Sequence, residues 1–166
     1  MTPIELDRAT LLSFFDEEVN LFARSWQNLK QPEALKAACH AALWAWTLDE
    51  HLRKTKGPGY DGPKGFICAD PAGAIALGLR CARQRLFHHA ADLMQITHGW
   101  ATGLMIPGGG TIPASEVSWR PLADLPTPPA RHRNASLDRA YRTRLEGQLV
   151  RGTFADALGF FGRVPP

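Results

Sequence analysis

Between Gly73 and His98 the chain reads GAIALGLRCARQRLFHHAADLMQITH, and this stretch constrains the fold more than any other. Ile75, Leu79, Leu86, Ala90, Leu93 and Ile96 recur at steps near three and four, which predicts one amphipathic helix with a buried stripe across the whole stretch. The same helix carries Arg80, Arg83 and Arg85, then His88, His89 and Asp92. Charged and titratable groups on a core helix must each be solvated or paired, because burying them alone is costly. The cluster is therefore the candidate site.

With 166 residues the chain suits one domain, 1–166, with a single sizeable core. Its 45% hydrophobic and 21% charged content is that of a globular protein and argues against disorder. Apolar runs are broken well before the roughly 18 residues a spanning helix needs, and Met-Thr-Pro-Ile-Glu-Leu-Asp has no signal-peptide character. A cytoplasmic protein without a membrane partner is expected. Cys39, Cys68 and Cys81 form no C-x-x-C pair, which predicts buried small hydrophobes in a reducing compartment.

Charge is distributed unevenly. Residues 1–79 hold 8 Lys and Arg against 10 Asp and Glu, whereas residues 80–166 hold 11 against 6, and all 11 are arginine. Arginine's planar fork suits phosphate or carboxylate, so a polyanion or an acidic partner fits the second half, as does a merely solvated basic face.

Taken in order, Thr2-Pro3 opens a first helix, or a pair joined near Thr10, that buries Leu11, Phe15, Val19 and Phe22 and ends before Pro32. A second, alanine-rich helix runs from about Pro32 to Lys54. Trp44 and Trp46 lie about 200° apart on it, so one faces the core and the other a second surface. Asp49, Glu50 and His51, near its end, fit an exposed terminal turn or polar groups for a site. Residues 56–65 form a Gly/Pro loop, and Asp70-Pro71 starts the central helix. Gly108 to Gly110 lacks the Lys-Ser/Thr of a phosphate loop and reads as a turn. Its flanks, Leu104-Met-Ile and Glu116-Val-Ser-Trp119, pair as a short hairpin or lie extended. Asn134 or Ser136 caps a further helix that Gly147 stops, and Thr153 caps a last one over Phe154 to Phe161. The expected fold is all-α, a four- to five-helix bundle with a long irregular Gly/Pro-rich excursion at about 99–135.

On a continuous helix His88 and Asp92 are neighbours, so the carboxylate orients one imidazole nitrogen and leaves the other for acid–base work. Arg83-Gln-Arg-Leu-Phe-His88, an arginine and a histidine separated by four residues, resembles the R-x(4–6)-H motif of HEPN-domain proteins. That resemblance implies a small helical bundle, commonly a homodimer, acting as a metal-independent ribonuclease of toxin–antitoxin, CRISPR-associated or phage-defence systems. It implies that Arg83 holds the scissile phosphate and His88 acts on the ribose 2′-hydroxyl or the leaving oxygen, giving a 2′,3′-cyclic phosphate. Asp92 would orient His88. Arg80, Arg85 and His89 would add affinity for RNA, and an antitoxin or other protein partner would follow from the biology. Gln84 departs from the short polar residue common after the motif arginine.

His88, His89, Asp92 and His98 do not match a known zinc or di-iron spacing, so neither a metal nor another cofactor is expected. The alternative is a non-catalytic helical interaction or assembly protein that oligomerises through its aromatic and arginine-rich faces. Its arginines would be spent in ion pairs and its histidines in structural hydrogen bonds.

Overall fold

The structure, a computed structural model, describes residues 6–27, 30–85, 90–106 and 110–165. Among the described residues it is a helical bundle of five main helices, with two single-turn α-helices, three 3-10 turns and one β-hairpin: α1 (Arg8–Gln27), α2 (Gln31–Lys56), α3 (Pro58–Asp61), α4 (Phe66–Ala69), α5 (Gly73–Arg85), β1 (Met94–Ile106), β2 (Gly110–Trp119), α6 (Ala135–Arg144) and α7 (Val150–Arg163). None of the described helices is long and apolar enough to cross a membrane.

The first described helix, α1, runs unbroken through Thr10. Asp7 accepts a hydrogen bond from the Thr10 backbone N–H at 2.8 Å, so it caps α1 directly ahead of the point where the sequence allowed a break. The predicted Thr2-Pro3 start lies outside the described residues. α2 packs against α1, and Ala34, Ala37, Ala38, Ala41, Ala42 and Ala45 are buried along it, their short side chains letting neighbouring backbones approach. Trp46 faces inward on α2. Trp44 is half-buried and meets Phe14 of α1 with ring centroids 4.8 Å apart.

α7 supplies the aromatic centre. Phe154 meets Phe15, Phe22 and Trp119 edge-on, with centroids 5.8, 6.5 and 5.8 Å away, and Phe160 and Phe161 lie one turn or two further on. Edge-to-face pairs of this kind add to simple area burial. The predicted cap at Thr153 is corrected: α7 begins at Val150, and Thr153 is buried within it. Its hydroxyl donates to the Leu149 carbonyl at 3.1 Å and accepts the Trp119 indole N–H at 3.0 Å, so tertiary bonding uses the group that the sequence offered as a cap.

The central helix is shorter than its apolar period predicts. α5 ends at Arg85, Ala90–Leu93 form one turn of 3-10 helix, and β1 starts at Met94. β1 and β2 pair antiparallel, Met94 opposite Trp119 and Ile96 opposite Val117, with an irregularity between Trp100 and Met105. The hairpin considered across the glycines does form, with longer arms than the two flanks suggested, and its turn at 107–109 lies outside the described residues. Met94, Val117 and Trp119 are buried at its root. Pairing to β2 and burial of that root outweigh the weak helical periodicity of Gln95-Ile-Thr.

At the crossing of α5 and α6, Gly78 lies close against the buried Leu145 side chain, which would have to shift for a larger residue. A Cβ there would lie 2.5 Å from Leu145 Cδ1 and 3.4 Å from the Ala140 carbonyl oxygen. Gly78→Ala is expected to cost roughly 1–3 kcal/mol through overpacking, despite alanine's better helix propensity. Denaturant unfolding of the two proteins checks this, and an unchanged midpoint would mean the helices separate freely. Asn134 caps α6 as predicted, its Oδ1 accepting from the N–H groups of Ser136 and Leu137 at 2.9 and 3.3 Å.

Candidate functional site

The three arginines of α5 point to different neighbours. Arg80 is inward, with a side chain only 14% exposed. Its Nε and one terminal nitrogen donate to both oxygens of Asp49 on α2 at 2.6 and 2.9 Å, and its other terminal nitrogen donates to Asp61 at 2.6 Å. Tyr60 donates to the same Asp49 at 2.7 Å, and Arg53 donates to Asp61 at 2.9 Å. Burial raises the Tyr60 phenol well above its ordinary pKa, helped by the adjacent Asp49 charge, so it remains a donor at any physiological pH. Hydrogen bonds to Asp49 and Asp61 outweigh the burial of Arg80 and hold it charged. This closed network ties the 56–65 loop to α2 and α5. It leaves Arg80 anchoring the fold instead of lying at a rim, as a substrate-binding role requires.

Arg85 is similarly committed. It donates to Asp138 of α6 at 2.9 Å and to the Pro126 carbonyl at 3.3 Å, which pins the 125–133 connector to the bundle. Asp138 also accepts from the Cys81 thiol at 3.4 Å. Burial, with the neighbouring carboxylate, pushes that thiol up to about 12, so Cys81 is no nucleophile.

Arg83 differs. It donates to Glu50 at 2.6 Å with its side chain 37% exposed, and it stands on the edge of a groove of about 910 Å3. The groove is lined by Leu6, Leu11, Leu43 and Trp46 together with Asp7, Glu50, His51, Lys54 and Arg83. Glu50 also meets Lys54 at 3.3 Å, and these two cations hold its carboxyl below the usual range. Asp7 titrates low as well, chiefly because the Thr10 N–H bonds its carboxylate.

His88 and His89 lie outside the described residues. Asp92, expected one turn along the same helix from His88, instead sits exposed in the 3-10 turn after α5, and its carbonyl accepts from Arg120 at 3.3 Å. The placement of Asp92 relative to His88 lies outside the described residues. The polar end of α2 divides: Asp49 is buried in the Arg80 network, while Glu50 and His51 face the groove. The rest of this lining was not singled out from the sequence, although Leu43, Thr47, Glu50 and Lys54 repeat at helical steps and mark a common face. Among the described residues no group of three His, Cys, Asp or Glu gathers as metal ligands.

No protein-family model, curated protein or solved structure matches this chain.

Proposed function

We propose that this chain is a non-catalytic helical interaction protein that self-associates through the outer face of α1 and α2. The observation that carries this is where the arginines go: Arg80, Arg83 and Arg85 each pair with a carboxylate of a neighbouring helix. A bundle that spends its candidate phosphate ligands on internal ion pairs is organised for stability and docking. The outer face supplies a surface. Phe14 and Leu21 are two turns apart on α1, Phe14 meets Trp44 with the rings tilted, and Leu21 is 43% exposed. The His40 ring beside Glu18 at 3.2 Å adds a polar element to the same face. Light scattering on the purified chain is expected to give a dimer that Trp44→Ser together with Leu21→Ser reduces to monomer. A monomeric parent protein would refute this reading.

A ribonuclease of HEPN type is the second reading, favoured by Arg83. It alone of the three arginines borders an open groove, at the end of α5 that leads toward His88. On this reading Arg83 contacts the scissile phosphate of RNA, and His88 transfers the proton. Toxin or defence roles and an antitoxin partner belong to this reading. It requires RNA cleavage without added metal, yielding 2′,3′-cyclic ends and lost in both His88→Ala and Arg83→Ala. Absence of cleavage across structured and unstructured RNAs rules it out.

A further inference from the structure

We propose that the exposed surface of α6, with the end of the connector leading into it, docks the sugar–phosphate backbone of a nucleic acid duplex. Arg133, Arg139, Arg142 and Arg144 carry the contact. The inference depends neither on self-association, which uses α1 and α2, nor on RNA cleavage at Arg83 and His88.

The amino-acid order concentrates charge here, since residues 133–144 hold four arginines and one acid, Asp138. Packing then leaves the cations uncompensated. Asp138 is taken at 2.9 Å by Arg85, whose side chain is only 9% exposed. Asp70 binds Arg163 through both oxygens at 3.0 Å, and Glu146 accepts the Leu122 backbone N–H at 3.1 Å. All four arginines are exposed, and none forms an ion pair with a carboxylate among the described residues; Arg142 senses Asp138 electrostatically without bonding to it. Arg80, Arg83 and Arg85 each meet an acid instead.

The surface is held in shape. Asn134 caps α6, Arg133 donates to the Pro128 carbonyl at 3.3 Å, and Arg144 donates to the Pro71 carbonyl at 3.0 Å. A carbonyl fixes a guanidinium without neutralising it, and side chains fixed beforehand lose less entropy on binding.

What the face lacks selects among polyanions. Among the described residues the exposed large apolar side chains, Leu21 and Leu43, belong to α1 and α2. An acidic protein would find no apolar anchor at the centre of its interface, and a membrane surface no side chain to insert. Tyr141, the one Phe, Tyr or Trp of residues 120–145, is fully buried, so an unpaired base has no such ring to stack on. A duplex backbone needs none of these. Arginine forks match phosphate oxygens, and a ten-residue helix about 15 Å long spreads its cations over about four base-pair steps.

Fluorescence anisotropy of short labelled duplexes, one of DNA and one of RNA, tests this on the full chain between about 50 and 200 mM salt. At least one is expected to bind at low salt, its log affinity falling against log salt with a slope of about −3 to −4. Arg139→Gln with Arg142→Gln should weaken binding roughly tenfold and make the slope shallower by about two; Arg133→Gln alone should make it shallower by about one. Arg139→Lys with Arg142→Lys should keep the slope, because each charge is retained. Lys54→Gln with Lys64→Gln removes as much charge elsewhere and should leave affinity within about twofold. The proposal is overturned if neither duplex binds, or if the Lys54 and Lys64 pair loses as much as the Arg139 and Arg142 pair. Equal or tighter binding of a single strand, of polyglutamate or of phosphatidylserine vesicles overturns it too.

Discussion

Arg80→Met is expected to remove about 3–5 kcal/mol of stability, the range for breaking a buried ion pair from one side. The loss is not the worth of one contact. Removing the guanidinium leaves Asp49, buried and 8% exposed in its side chain, with only the Tyr60 hydroxyl, and leaves Asp61 with only Arg53. Two carboxylates that had shared one cation then lose it together. The Tm should fall on the order of 10 °C for a domain of this size. Arg80→Lys is expected to recover less than half, because an ammonium cannot present a planar fork to two carboxylates at once. Thermal and denaturant unfolding of the three proteins decide the matter. A loss below about 1 kcal/mol in Arg80→Met would mean that the network behaves like a solvent-exposed ion pair.

The second large effect is expected at the root of the hairpin. Trp119 is fully buried, meets Phe154 edge-on, and donates to Thr153 at 3.0 Å. Its backbone is held from the other side as well: its N–H donates to Gln148 and its carbonyl accepts from Gly147, both at 3.0 Å. Gly147 makes that return turn with a φ of 71°, a conformation glycine adopts without strain. Trp119→Ala should cost about 3–5 kcal/mol through the cavity it opens among α1, α7 and β2. Trp119→Phe keeps most of the ring and loses the N–H donor, so about 1 kcal/mol is expected. Limited proteolysis separates local from global loss. Cutting within 94–119 should rise more steeply in the alanine variant than cutting elsewhere, and uniform protection would show that Trp119 does not anchor the hairpin.

These two residues also mark what was legible beforehand. The helices with two-sided patterns were plain: the alanines of α2 predict close packing, and the separation of Trp44 from Trp46 predicts their different surroundings. Asn134 announced α6 because a cap is a local hydrogen bond that the sequence spells out. Local signals failed at the end of α5. The apolar steps continue through Leu86, Ala90, Leu93 and Ile96, yet Ala90–Leu93 form a 3-10 turn and Met94 opens a strand, because Met94 and Ile96 find partners about 20 residues later in Trp119 and Val117. Thr153 failed for a related reason, its hydroxyl being taken by a tryptophan 34 residues earlier.

The candidate site shows the same division. The sequence marked Arg80, Arg83 and Arg85 as groups that had to be solvated or paired, and this requirement follows from the cost of burying charge alone. Which acid each would meet depended on Asp49, Asp61, Glu50 and Asp138, which lie 19 to 53 residues away along the chain. Helical period, caps and composition act over one or two turns, so the amino-acid order alone determined a helical bundle with cations on a central helix. Only the packing of α2 and α6 against α5 decided that two of those cations hold the fold together and the third borders a groove, because pairing energies depend on distances that distant segments set.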